Sequence, residues 1–141
     1  MSQSRPAPGR VWGFVVDASS VLYLASARIE VPVRQKLLAP TLMRSETLSV
    51  LHEAVHRGEI PLRIALDLLA RINRMPIRLL GDAVLRRRAW EVADRLGWAT
   101  TYDAEYIALT QLHGRALVTM DGRLARRVRG LIPTATLDAL V

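Results

Sequence analysis

The sequence predicts an α/β fold: a three-layer α/β/α sandwich on a central, mainly parallel sheet of short strands. Three observations predict it. Apolar runs of four to six residues recur along the chain, too short for buried helices. Longer segments with apolar residues at helical spacing separate them. The runs are continuous rather than alternating, which is the pattern of strands covered on both faces, as in parallel sheets.

Taken in order, residues 1–10 carry two prolines, one glycine and no periodicity, and read as a flexible leader to a single domain over residues 11–141. The run "VWGFVV" at 11–16, rich in β-branched residues, predicts the first strand. After Asp17 the pattern changes to a short helix at 20–25. "KLLAP" at 36–40 predicts a second strand, stopped by Pro40, which has no N–H to donate. Residues 41–57 read as a helix ended by Gly58, with Leu48, Val50, Leu51, Ala54 and Val55 in one broad arc. A second helix over 61–72 has Leu62, Ala65, Leu66 and Leu69 as its stripe, and a short strand at 77–80 follows Pro76. Asp82 caps a helix running to Leu96, with Leu85, Ala89, Val92 and Leu96 inward and Gly97 as its stop. Residues 104–113 form another helix, closed by Gly114. "ALVTM" at 116–120 is the clearest late strand, and 131–134 reads as an edge strand. There is no internal repeat and no interdomain linker.

With 141 residues, half of them apolar, the chain can bury one real core. Its net charge is +7 and its pI about 11.1, and Lys36 is the only lysine. Arginine forks suit phosphate, which points to a polyanionic partner, nucleic acid first. A coding bias for arginine over lysine would give the same composition. The absence of cysteine fits a reducing compartment and excludes disulfides and thiolate metal sites. Asp17, Ser19 and Ser20 cut the N-terminal apolar stretch below the length of a secretion signal. No segment is long and apolar enough to cross a bilayer. The expected location is therefore the cytoplasm.

In a parallel sheet covered by helices, ligands sit outside the carboxyl ends of the strands. Asp17 directly follows "VWGFVV" and Asp121 directly follows "ALVTM", so two strands deliver an acid to one sheet edge. Asp103 opens the helix before the second of these strands, and Glu46 lies in the first turns of the helix after "LLAP". Each acid also has an ordinary reading: Asp121 as a turn residue before Gly122, Asp103 and Asp17 as helix caps, Glu46 as a solvated side chain. Their joint placement at one edge favours function. Clustered carboxylates suggest Mg²⁺ or Mn²⁺, because hard cations prefer oxygen ligands and relieve the repulsion between the acids.

The same residues carry a family resemblance. The pieces "VVDASSVLYLA", "LLAPTLMRSETLSVL" and "YDAEYIALTQLHGRALVTMDGRLARRV", in that order and spacing, resemble PIN-domain ribonucleases, and among them the VapC toxins of type II toxin–antitoxin systems. The connecting "GEIPLRIALDLLARI" and "AWEVADRLGW" are similar to the family's helices. Carried over by motif, Asp17, Glu46, Asp103 and Asp121 match the acidic quartet. Thr119 and Leu124 match the Thr-x-Asp-x-x-Leu pattern, and Ser19 stands where members often have a small polar residue. The resemblance implies an Mg²⁺- or Mn²⁺-dependent endoribonuclease, a homodimer, and a small cognate antitoxin that blocks the site. It implies Asp17 and Asp103 as primary metal ligands, with Glu46 and Asp121 completing the pocket and Thr119 orienting a carboxylate or water. The chain departs from the family at residues 26–35, where a longer helical segment is usual. A PIN-like module that docks RNA without cutting it, and a housekeeping RNA-processing nuclease, are the alternatives.

A rival motif is "HEAVH", a formal H-E-x-x-H in which His52 and His56 lie one turn apart with Glu53 between them, the spacing of a zinc peptidase. The helix ends directly after His56, and no third ligand stands out. The triplet Arg86, Arg87 and Arg88 points to three sides of a helix and reads as solvated surface. Arg123, Arg126 and Arg127, spaced three and four apart after Asp121, share one face and are expected to contact the RNA backbone. Trp12, Trp90 and Trp98 read as core or interface anchors rather than base-stacking platforms.

Overall fold

The computed structural model describes residues 11–141; the leader expected over residues 1–10 lies outside them. Each apolar run becomes a strand: β1 (Gly13–Val16), β2 (Leu37–Pro40), β3 (Ile77–Leu80), β4 (Gly114–Val118) and a two-residue β5 (Thr134–Ala135). The helices are α1 (Ala18–Ser26), α2 (Leu42–His56), α3 (Leu62–Arg74), α4 (Ala83–Leu96), α5 (Tyr102–His113) and α6 (Gly122–Val128), followed by a 3-10 turn at Leu137–Leu140. All strand pairs are parallel, in the order β3-β2-β1-β4-β5. The chain builds outward from β1 through β2 to β3, then crosses back to lay β4 on the other side of β1. The strand order thus reverses between β1 and β4, where α/β sheets open a crevice for ligands.

The strands are continuous apolar runs because helices flank the sheet. Val15, Val16, Leu38, Leu117 and Val118 are fully buried. Helix α5 packs on β1, β2 and β4, and α4 lies on α5, while α1 packs with α2 and α3. Helix α5 runs through the interior, with Ala104, Tyr106, Ile107, Ala108, Leu109 and Thr110 buried, while Tyr102 and Gln111 at its ends are exposed. At Gly13 the backbones come so close that a Cβ would lie 2.2 Å from the Lys36 carbonyl oxygen, so only glycine fits. Asp82 caps α4 by accepting from the Leu85 N–H, and Gly97 ends it in the left-handed conformation, φ +71°, both as expected.

Several details differ from expectation. Strand β4 begins at Gly114 rather than residue 116, because Gly114 pairs with Gly13 and both ends helix α5 and opens the strand. Strand β5 falls at Thr134–Ala135, after Pro133, rather than over 131–134. Helix α2 turns Met43, Thr47 and Leu51 inward and leaves Leu48 and Val50 exposed. On α3, Ala65 and Ile72 are buried, while Leu62 and Leu66 face out. Trp12 and Trp98 are half-buried and pack against the core, whereas Trp90 is exposed and stands outside it. Residues 27–36, the short connection, contain no helix. Among the described residues, no helix is long and apolar enough to cross a membrane.

Candidate active site

The carboxyl ends of β1 and β4 are tied together by hydroxyls. The Ser20 hydroxyl, buried at the start of α1, donates to the Val118 carbonyl oxygen at 2.8 Å. The Ser19 Oγ accepts from the Met120 N–H at 2.9 Å and donates to Asp17 Oδ1 at 2.8 Å. Thr119 donates to Asp17 Oδ2 at 2.5 Å, and its oxygen accepts from the Asp121 N–H at 3.0 Å. Asp17 itself is 4 % exposed and caps α1 through the Ser20 N–H. These bonds fix the first acid rigidly and set the path of the loop that carries Asp121.

Asp121 caps α6, its Oδ1 accepting from the backbone N–H groups of Arg123 and Leu124. Capping and facing a cavity are therefore compatible, since each aspartate has two oxygens. Asp103 is not the cap of α5, a place taken by Thr101, but sits in its first turn. Its Oδ2 accepts from Arg123 at 3.0 Å and from Arg127 at 2.5 Å. The second nitrogen of Arg123 lies 3.7 Å from Asp121 Oδ2, so this one side chain spans two acids. Hydrogen bonding to Asp103 holds the Arg123 guanidinium even more firmly protonated than usual. Glu46 on α2 accepts from the buried Tyr106 hydroxyl at 2.5 Å.

Asp17, Glu46, Asp103 and Asp121 all line one cavity of about 290 Å³, together with Ser19, Tyr106 and Arg123. A larger groove of about 450 Å³ beside Met43, Leu69 and Ile72 has no acid in its wall. In the acidic cavity Glu46 is pushed above the ordinary carboxylate range, first by burial and then by the charges of Asp17, Asp103 and Glu105, against the pull of the Tyr106 bond. Tyr106 is pushed up in turn, by burial and by Glu46, so its hydroxyl stays a proton donor. The donor set, hard oxygens repelling one another in one recess, fits a divalent cation chemically. As they stand, no three acids or imidazoles among the described residues are gathered closely enough to hold a metal ion.

Thr119 thus sits at the centre of the bonds around Asp17. Arg127 faces Asp103 and stacks on Trp98, with its guanidinium carbon 3.7 Å from the ring centroid, while Arg126 is exposed on α6. His52, Glu53 and His56 are exposed on α2, Glu53 pairs with Arg57, and no third ligand joins the histidines among the described residues. Sequence reasoning missed Tyr106, although it lies one turn after Asp103 on the same helix face, a spacing that could have revealed it. It also missed Ser20. Trp98 gave no signal, because its contact joins a loop to a helix distant in sequence.

The described geometry agrees with what comparison shows. The profile of the PIN domain matches residues 14–130. The crystal structure of PAE2754 from Pyrobaculum aerophilum is similar over 91 % of this chain and 85 % of its own, with 26 % identity and a TM-score of 0.71. No curated protein sequence matches. The match covers most of the chain, cavity included, so the chain belongs to the PIN-domain family, whose nuclease fold is generally metal-dependent.

Proposed function

We propose that this protein is an Mg²⁺- or Mn²⁺-dependent endoribonuclease, and the toxin of a type II toxin–antitoxin pair. The observation that carries the reading is the convergence of Asp17, Glu46, Asp103 and Asp121, from four separate segments, on one cavity at the reversal point of the sheet. A retired site has no reason to keep all four. Asp17 and Asp103 would hold the metal, with Glu46 and Asp121 completing the ligand set and positioning water. A bound divalent ion would supply charge for the phosphodiester and lower the pKa of that water. Ser19, Ser20 and Thr119 keep Asp17 aimed into the cavity. Arg126, exposed beside it, and Arg123, at its wall, are suited to draw the RNA backbone across the acids. Exposed Leu48 and Val50 on α2, and Leu62 and Leu66 on α3, offer apolar surface for a second copy or for a small antitoxin.

The test is cleavage of single-stranded RNA with Mg²⁺ or Mn²⁺, by wild type and by Asp17→Asn and Asp103→Asn. Loss of cleavage by about a thousandfold in the variants is expected, with circular dichroism unchanged. Full activity in either variant, or undiminished activity in EDTA, defeats the mechanism. Growth arrest on expression, relieved by a neighbouring antitoxin gene, tests the toxin role; normal growth counts against it.

A further inference from the structure

Arg127 was expected on the RNA face, yet its guanidinium is already engaged on two sides. One side stacks on Trp98 at 3.7 Å from the ring centroid, and one nitrogen donates to Asp103 Oδ2. Its side chain is 34 % exposed, against 56 % for Arg123, and that of Asp103 only 15 %. A phosphate could take Arg127 only by pulling it off both partners. Trp98 is itself placed by the end of α4: Gly97 turns left-handed and the Trp98 N–H bonds back to the Ala93 carbonyl at 2.8 Å. A helix terminus, an indole, a guanidinium and a carboxylate thus form one connected chain of contacts.

Asp103 needs such support. It shares a cavity with three other carboxylates, and its charge is felt at Glu46. A lone carboxylate there would rotate away from its neighbours. With Oδ2 held by Arg127 and Arg123, Oδ1 has no donor among the described residues and is left for a ligand in the cavity. Arginine suits the task and lysine does not, because only a planar cation stacks on an indole while donating in its own plane.

We propose that Trp98 and Arg127 form a clamp that positions Asp103 for its ligand, making Arg127 a positioning residue rather than an RNA contact. The role of Asp103 as a metal ligand is taken from the ribonuclease reading, but the clamp can be tested without RNA. The probe is Mn²⁺ alone, titrated calorimetrically into wild type, Arg127→Ala, Arg127→Lys, Trp98→Phe and Trp98→Ala. Removing a positive charge beside four acids would by Coulomb attraction tighten Mn²⁺ binding; loss of positioning weakens it. The signs are opposite. The clamp predicts about 10- to 100-fold weaker binding in Arg127→Ala, Arg127→Lys and Trp98→Ala, as for other partners that orient metal ligands. Trp98→Phe keeps an aromatic face and stays near wild type. With RNA, Arg127→Ala should lower kcat while KM and its salt dependence stay unchanged.

Tighter or unchanged Mn²⁺ binding in Arg127→Ala overturns the clamp. So does a rise in KM with the salt slope reduced by about 0.7, the mark of one lost single-strand phosphate contact. Should Trp98→Ala fail to fold, the two Arg127 variants decide alone. A wild type that binds Mn²⁺ but cuts no RNA defeats the ribonuclease reading and leaves the clamp to be judged on binding. A wild type that binds no Mn²⁺ overturns both.

Discussion

Replacing Tyr106 by phenylalanine removes one oxygen and keeps the ring, so it isolates the hydroxyl that meets Glu46. The side chain is 1 % exposed, and the ring still fills its space, so the cavity cost is small. What is lost is a 2.5 Å hydrogen bond to a carboxylate. Bonds to charged groups contribute about 1.5–3 kcal/mol, and the half-buried Glu46 can recover part from water, which puts the cost at about 1.5–2 kcal/mol. For a chain of this size, about 3–5 °C of melting temperature per kcal/mol gives a fall of about 5–10 °C. The cost has a pH signature. In the metal-free protein Glu46 already titrates above its ordinary 4.5, and the Tyr106 bond is the one influence holding it down. A carboxyl raised on folding gives stability that is fully present below its unfolded pKa and lost as pH rises through the folded value. Tyr106→Phe widens that interval, so its cost is largest above the folded pKa, where Glu46 is charged, and shrinks toward the bottom of the window, where a neutral pair is worth only about 0.5–1.5 kcal/mol. Urea unfolding followed by tryptophan fluorescence in EDTA, at both ends of the window, measures it. Equal cost at both pH values, or a larger cost in acid, refutes the reasoning.

Gly13→Ala would drive a methyl to 2.2 Å from the Lys36 carbonyl oxygen and force β1 from β2, costing about 3 kcal/mol or more. An unchanged thermal midpoint would show that the strands can yield. Ser20→Ala removes the buried donor to the Val118 carbonyl but leaves the backbone N–H that Asp17 caps; about 1–3 kcal/mol is lost while cleavage at low temperature persists. Loss of activity in proportion to Asp17→Asn would instead assign the hydroxyl a direct role. Replacing His52 and His56 together by alanine alters two exposed side chains, so stability moves by less than about 0.5 kcal/mol and RNA cleavage is kept. A fall in bound zinc measured by metal analysis would revive the peptidase reading.

The fold class, a mainly parallel sheet and most helices were legible in the sequence, because strands buried on both faces read as unbroken apolar runs; that every pair is parallel came from the structure. Helix faces were less so. Apolar residues stand on more than one side of α2, and only packing decides that Met43 and Leu51 go in while Leu48 and Val50 stay out. The start of β4 was misplaced because a glycine that ends a helix was not also read as the first residue of a strand. Of the candidate site, the four acids could be seen through their positions after strands and at helix starts. Their partners could not: Thr119 reaches Asp17 across 102 residues, and Trp98 meets Arg127 of α6 from the loop after α4. Such pairings belong to the sheet order, which local patterns do not encode.

The sheet order also dictates when the cavity comes into being. Strand β1 is synthesised before β4, yet they lie side by side, and pairings this distant in sequence carry a high loop-closure cost. On a growing chain that folds from its N-terminus, Asp17 and Glu46 emerge long before Asp103 and Asp121 exist. Until β4 slides in beside β1, Asp17 lacks its Thr119 donor and half of the acids are missing. On the proposed ribonuclease reading, the protein is born on a ribosome, among the molecules it would cut. This topology withholds the complete set of acids from the growing chain until β4 and the loop that carries Asp121 have emerged.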